Sequence, residues 1–298
     1  MRPAKATIDL DALRHNLALA ARSAPASRNI AVIKANGYGH GMIEAARALQ
    51  HAADALAVAT MDEAIALRDA GIESLLLVLQ GANTAGDVAE AAANRLWLMV
   101  HEPRQVEWLE SHGGPPIGAW LKIDTGMHRL GFAPSDAPRA IERLLASAAV
   151  EAPPVLCTHL ACADELDNPE TPRQVGAFQR VSDDRGYPAS IANSAGILHW
   201  PAAHADWNRP GIMLYGCDPT GAFPGDPELK PVMTVTSEIS AIRDIPAGEG
   251  VGYGHRWIAE APARIGTVAI GYADGYPRHA RNGTPVWVRG GRVPLAGT

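Results

Sequence analysis

The segment Ala31-Val32-Ile33-Lys34-Ala35-Asn36-Gly37-Tyr38-Gly39-His40-Gly41 sets an amine, a phenol and an imidazole close together in the chain. A short apolar run with a β-branched pair carries Lys34 out of a strand, and the asparagine and three glycines that follow force a sharp turn. An amine held at the mouth of an apolar strand loses part of its hydration. Its pKa then falls, and the neutral form is a nucleophile able to make a Schiff base. The plain alternative is a lysine that snorkels out of a core strand. The Gly-Tyr-Gly-His-Gly continuation argues against it, because that loop brings backbone, phenol and imidazole near the amine.

Further side chains with chemical capacity stand where apolar runs end. In Leu121-Lys122-Ile123-Asp124-Thr125-Gly126-Met127-His128-Arg129-Leu130-Gly131-Phe132, Arg129 follows a glycine turn and can address a carboxylate bidentately, or form an ordinary surface ion pair. His159, in Cys157-Thr158-His159-Leu160, is placed to act as a catalytic or a structural imidazole. Ser194, in Ala192-Asn193-Ser194-Ala195-Gly196, opens a short helix, which suits either a phosphate or a plain N-cap. Arg209 precedes Pro210-Gly211-Ile212. In Gly250-Val251-Gly252-Tyr253-Gly254-His255-Arg256-Trp257 two glycines let the Tyr253 phenol project, although an ordinary β-domain tyrosine fits the spacing as well. Gly271-Tyr272-Ala273-Asp274-Gly275-Tyr276-Pro277-Arg278 adds Tyr272 and Arg278.

These motifs, in this order, resemble those of the alanine racemases, which depend on pyridoxal 5'-phosphate (PLP), and the resemblance runs from about residue 5 to the end of the chain. It implies a two-base mechanism on a PLP aldimine that interconverts L-alanine and D-alanine and supplies D-alanine for peptidoglycan. Lys34 would carry the cofactor and serve as one base. Tyr253, delivered from the partner subunit of a homodimer with shared active sites, would be the other. Tyr38, Ser194 and the backbone N–H groups of Gly211 and Ile212 would hold the phosphate, with Asn193 and His159 also on the cofactor. Arg209 would face the pyridine nitrogen. Arg129 would take the substrate carboxylate and the cofactor phenolate, beside Lys122, which matches a lysine that is often carbamylated. Tyr272 would stand at the active-site entrance and Arg278 near the dimer site. A tyrosine of ordinary pKa near 10 is a poor base at neutral pH, so it needs a cationic setting, for which His159 and the nearby arginines are candidates.

An arginine on the pyridine nitrogen has a consequence. It cannot accept a proton and disfavours a cationic ring, so the cofactor becomes a weaker electron sink and proton return to Cα is favoured. That choice argues against the first alternative, a barrel-type PLP amino-acid decarboxylase, which is expected to place an acid there. A non-catalytic PLP-carrier protein, the second alternative, would be a barrel alone.

The elements that must position these residues follow from hydrophobic patterning. Strand candidates are Ile30–Lys34, Ala55–Ala59, Leu75–Leu79, Leu96–Val100, Ile117–Asp124, Val155–His159, Ser190–Asn193 and Trp207–Arg209. Helix candidates alternate with them, from Ile8–Ala24 through Gly41–Ala53, Asp62–Gly71, Ala85–Ala93, Pro103–Ser111 and Pro134–Ala148 to Pro172–Asp184. Eight strands alternating with helices predict a (β/α)8 barrel, with its active site at the carboxyl ends of the strands, where Lys34, Arg129, His159, Ser194 and Arg209 fall. Pro219, Gly221, Pro224, Gly225 and Pro227 mark a linker, beyond which Val232–Ala241, Arg264–Ile270 and Val286–Val288 read as strands. The expected division is a barrel over residues 1–228 and a smaller, incomplete β-rich domain over 229–298. The family's Met-Asp motif would come just after the last residue, so the domain is expected to be truncated and Val286–Val288 to lack partners.

Composition bounds the function classes. With 47% hydrophobic residues in 298, a core forms without disulfides or metals, and three cysteines, Cys157, Cys162 and Cys217, cannot pair completely and fit no zinc spacing. The net charge of -6 and the absence of a basic run argue against nucleic acid, and no apolar stretch is long enough for a membrane span or a signal core. Together these favour a soluble cytoplasmic protein, and the resemblance implies alanine as its small-molecule substrate.

Overall fold

The apolar runs become strands in the computed structural model, which describes residues 3–182, 186–221 and 228–297. The expected helix end at Asp184 and the linker residues Pro224, Gly225 and Pro227 lie outside the described residues. A first strand, β1 (Lys5–Ile8), precedes the eight of the barrel: β2 (Arg28–Val32), β3 (Ala55–Val58), β4 (Leu76–Val78), β5 (Leu96–Val100), β6 (Ile117–Lys122), β7 (Val150–Cys157), β8 (Ala189–Ser190) and β9 (Trp207–Asn208). They pair in the order β8-β7-β6-β5-β4-β3-β2-β9, all parallel. The pairing of β2 with β9 brings the first and last barrel strands together. Between β8 and β9, the Ser190 hydroxyl donates to the Trp207 carbonyl at 2.7 Å. The result is a nearly closed (β/α)8 barrel.

Side-chain alternation explains why these runs are strands. Ile30 and Val32, Ala55 and Ala57, Leu77, Met99, Trp120, Cys157 and Trp207 cluster inside the barrel. The opposite parity, including Ala31, Leu56, Leu76 and Leu156, packs with the helices. Burying a side chain such as Leu77 in this way contributes about 1.5–3 kcal/mol. Trp97, Trp120 and Trp207 fill the barrel with ring centroids 5.8–6.2 Å apart, and the Arg28 guanidinium lies 4.0 Å over the Trp207 ring. The helices keep their sequence signals. Asp9 caps Leu10–Ser23 by accepting from the N–H groups of Asp11 and Ala12, and Pro103 opens Pro103–Glu110.

Strand β7 starts five residues before the expected Val155 and runs through Pro153 and Pro154. Prolines remove ladder donors and so argue against a strand locally. Here the chain pairs with β6 on both sides of a register shift, Ile117 with Val150 and Trp120 with Val155.

The chain divides into two compact units, Ile8–Val232 and a second made of Met1–Thr7 with Met233–Thr298. This differs from the expected boundary at both ends. The first residues leave the barrel because β1 pairs with β10 (Met233–Thr236), 225 residues or more away in the chain. The second unit is otherwise built of antiparallel pairs: β11 (Ile239–Ile245) with β14 (Ala263–Val268), β12 (Gly250–Val251) with β13 (Trp257–Ile258), and β15 (Pro285–Val288) with β16 (Gly291–Pro294). Val286–Val288 therefore has a partner, contrary to expectation: Val286 pairs with Val293 and Val288 with Gly291.

Candidate active site

Lys34 leaves the end of β2 into a turn of the wrong hand for ordinary residues. Ala35, Asn36, Gly37 and Tyr38 have φ of 52°, 53°, 62° and 52°. Glycine and asparagine suit this region, but alanine and tyrosine each incur about 1–2 kcal/mol there. The turn is held by hydrogen bonds. The Gly37 N–H donates to the Ile33 carbonyl at 2.8 Å, the Gly41 N–H to the Asn36 carbonyl at 2.9 Å, and the Met42 N–H to Asn36 Oδ1 at 3.0 Å. The His40 ring does not join the amine. Its Nδ1–H donates to the Tyr38 carbonyl at 3.0 Å, and its ring packs on Tyr215 with centroids 4.6 Å apart.

The strand ends surround a cavity of about 350 Å³, within the size range of small-molecule sites. Lys34, Tyr38, Lys122, Arg129, His159 and Arg209 line it. Asn193, Ser194, Gly211 and Ile212 form one wall. All of these belong to the barrel unit. Among the described residues no carboxylate lines the cavity while Lys34, Lys122, Arg129 and Arg209 do, so its field favours an anionic ligand. Burial, aided by Arg129, lowers the Lys34 pKa, while Glu63 opposes the shift. Burial also lowers the pKa of Lys122; Cys157 opposes this, and Arg209 and Arg129 add to it.

The wall at Ser194 suits a phosphate. Asn193, not Ser194, is the helix cap, its Oδ1 accepting from the Gly196 N–H at 3.0 Å. That removes the N-cap explanation for Ser194. Its buried hydroxyl oxygen instead accepts from the Gly211 and Met213 N–H groups at 2.9 and 3.2 Å. Both of those donors are aimed at its oxygen, which leaves the Ser194 proton available to an acceptor in the cavity. The space over Gly211 is open only because there is no side chain: a Cβ there would stand 2.8 Å from the Tyr38 hydroxyl oxygen.

Arg209 is buried and reaches the cavity from the end of β9. It donates to the Ser190 hydroxyl, to the Thr158 carbonyl at 2.5 Å and to the Ile191 carbonyl at 3.2 Å. It also lies 3.5 Å from His159 Nδ1. A guanidinium only donates, so His159 Nδ1 accepts and the ring is the neutral tautomer protonated on Nε2. Burial first, and then the charges of Arg209, Lys122, Arg129 and Lys34, hold the His159 pKa well below 6.5. The expectation that His159 helps supply a cationic setting is therefore corrected: the arginines and lysines carry the positive charge, and they keep this imidazole neutral.

The loop after β6 presents Arg129. Asp124 anchors it by accepting from the Gly126 and His128 N–H groups, both at 3.0 Å, and the Phe132 N–H closes it on the Lys122 carbonyl at 2.9 Å. Two residues missed from sequence stabilise the neighbouring loops. Buried Gln174 donates to the His159 carbonyl at 3.1 Å and accepts from the Ala161 N–H at 2.8 Å. Glu63 accepts from the Ala35 N–H at 2.6 Å and the Ala59 N–H at 2.7 Å. The Thr60-Met61-Asp62-Glu63 spacing marks a helix start, which was the only local signal for it.

The remaining candidates belong to the second unit. Tyr253 opens the turn Tyr253–His255 and is 69% exposed; Tyr272 opens Tyr272–Asp274 and is 61% exposed. The Arg278 guanidinium lies 5.9 Å from the centre of the Tyr272 ring. Among the described residues no group of histidine, cysteine and acid side chains could hold a metal ion, and no helix is long and apolar enough to cross a membrane. Cys157, Cys162 and Cys217 are free thiols. A lysine of lowered pKa, a wall of hydroxyls and backbone donors, and surrounding cations together fit PLP.

Comparison with known proteins agrees with this geometry. The family model for the alanine racemase N-terminal domain matches residues 8–219, and that for the alanine racemase C-terminal domain matches residues 232–298. An alanine racemase of Chromohalobacter salexigens is 50% identical over 298 residues, covering 99% of this chain and 82% of the relative. The crystal structure of the biosynthetic alanine racemase from Pseudomonas aeruginosa superposes with a TM-score of 0.94 at 46% identity, covering 100% of this chain and 83% of that one. The alanine racemase of Bartonella henselae with covalently bound pyridoxal phosphate has a TM-score of 0.85 at 30% identity, over 100% of this chain and 83% of its own. The chain belongs to the alanine racemase family.

Proposed function

We propose that this chain is a PLP-dependent isomerase that interconverts L-alanine and D-alanine, with the cofactor joined to Lys34. The observation that carries the reading is one cavity holding the lowered-pKa amine of Lys34, the Ser194–Gly211 wall and the donor-only Arg209. When bound, the cofactor withdraws electrons from the substrate's Cα–H bond. The protein supplies the rest. Lys34 moves a proton on one face of Cα, and the partner subunit's Tyr253 does so on the other, which makes the working unit a homodimer. The Ser194 hydroxyl, Tyr38 and the Ile212 N–H bind the phosphate, Gly211 leaves room for it while its own N–H holds the Ser194 oxygen, and Asn193 and His159 support the cofactor. Arg209 donates toward the pyridine nitrogen and cannot take its proton. Arg129 orients the substrate carboxylate. A carbamate on Lys122 would set a negative charge among Lys34, Arg129 and Arg209, and its lowered pKa favours the neutral amine that carbon dioxide requires. Tyr272 stands at the entrance, with Arg278 beside it near the dimer site. The product role that fits is D-alanine supply for peptidoglycan in the cytoplasm.

Arg209 in place of an acid speaks against a barrel-type decarboxylase, and the strand-rich second unit speaks against a bare PLP carrier. The test is incubation with L-alanine and PLP while following D-alanine and optical rotation. Growth of D-alanine with decay of rotation supports racemisation. Carbon dioxide release without D-alanine overturns it in favour of decarboxylation.

A further inference from the structure

We propose that Glu63 is a positioning residue for Lys34: its carboxylate ties the left-handed turn after β2 to the loop after β3 and so aims the lysine into the cavity. The inference rests on the covalent role proposed for Lys34 above. Glu63 Oε1 accepts from the Ala35 N–H at 2.6 Å, and Oε2 accepts from the Ala59 N–H at 2.7 Å. Both oxygens are committed, to two different βα loops, through short charge-assisted bonds.

The Ala35 amide is the one that follows Lys34. Fixing its N–H fixes the peptide plane between the two residues, and with it the direction in which the Lys34 side chain leaves the backbone. The other hydrogen bonds of the turn join it to itself, to Ile33 or to the helix that follows: Gly37 to Ile33, Gly39 to Ala35, Gly41 to Asn36, and Met42 to the Asn36 side chain. Among the described residues, the Ala35–Glu63 bond is the one that links residues 35–41 to another βα unit. A run with positive φ at Ala35, Asn36 and Tyr38 persists only where its surroundings over-determine it.

The carboxylate is itself held ready. Glu63 is the third residue of the helix Met61–Asp69, and its N–H donates to the capping Thr60 Oγ1 at 3.3 Å. In an ordinary capping box a glutamate here folds back onto the N–H of the cap residue. Glu63 instead passes to Ala59 and Ala35, so its side chain serves the tertiary structure rather than its own helix. It is also the group that opposes burial and Arg129 in setting the charge of Lys34.

The test compares wild type with Glu63→Ala and Glu63→Gln by amide hydrogen exchange and by reductive trapping of PLP across a pH series. In Glu63→Ala, exchange at residues 35–41 should rise by about tenfold or more, the loss of one charge-assisted bond, and PLP trapping at Lys34 should slow. Glu63→Gln keeps one acceptor but no charge. Its exchange should fall between the other two, and its trapping profile should move to lower pH, since the amine loses the charge that favours protonation. Loss of thermal stability with exchange at 35–41 and the trapping profile unchanged in both variants would overturn the proposal. If wild type traps no PLP at Lys34, the covalent reading fails, and the exchange measurement still decides the anchoring by Glu63.

Discussion

The Tyr38 hydroxyl oxygen lies 2.8 Å from the point where a Cβ on Gly211 would stand. Gly211 has φ of -123° and ψ of -95°, outside the left-handed region, and the Tyr38 phenol is the nearest group that an added side chain would meet. Gly211→Ala is therefore expected to fold, with a stability loss of no more than about 1–3 kcal/mol. Its methyl group would fill the phosphate wall and displace the phenol, and PLP affinity should fall by about tenfold or more. Titration with PLP checks this, and unchanged affinity would remove Gly211 from the phosphate site.

Lys34 should carry the cofactor covalently. Borohydride reduction followed by peptide mapping is expected to find it on the peptide containing Lys34, and Lys34→Ala should abolish the label. Label on Lys122 instead would reassign the nucleophile, since burial lowers the pKa of that amine as well.

If the two bases come from different subunits, inactive Lys34→Ala and inactive Tyr253→Phe chains should complement. Mixing them, with subunit exchange demonstrated, should restore part of the activity, because one site of a heterodimer regains both groups. An inactive mixture would place both bases in one chain.

Arg209→Ala should cost about 3 kcal/mol in urea unfolding. The substitution strands the Thr158 and Ile191 carbonyls, which the guanidinium now satisfies in a buried position, and removes the donor to the Ser190 oxygen, whose own proton stays on the Trp207 carbonyl. Arg209→Lys should recover little of the loss, because an ammonium lacks the planar fork that reaches several acceptors at once. Full recovery by lysine would show that charge alone is required.

Acid stability should depend on Asp124. Burial pushes its carboxyl up, but the N–H groups of His128 and Gly126 outweigh this and hold its pKa below 3.8. A folded-state pKa below the unfolded one means stabilisation that is complete above 3.8 and lost as the pH falls through the folded value. Urea midpoints measured from neutral to acid pH should fall more steeply for wild type than for Asp124→Asn. Equal slopes would show that the Arg129 loop does not depend on this charge.

The barrel strands, the strand-end location of the reactive residues and the family could be read directly from the chain. Strand interiors such as Ile30, Leu77 and Trp120 are hydrophobic for local reasons of patterning, and Lys34 with its glycine-rich turn is contiguous in sequence. Other features depended on contacts between distant segments. Asn193 rather than Ser194 caps its helix, since Ser194 is taken by backbone donors of Gly211 and Met213. His159 is neutral because burial and four cations gathered at the ends of three strands act on it at once. Strand β1 leaves the barrel for a partner near residue 233, and Glu63 finds Ala35 across 28 residues. Local propensity and periodicity reflect each residue's near neighbours. Desolvation, electrostatic fields and the choice between competing hydrogen-bond partners are sums over groups that only the folded chain brings together.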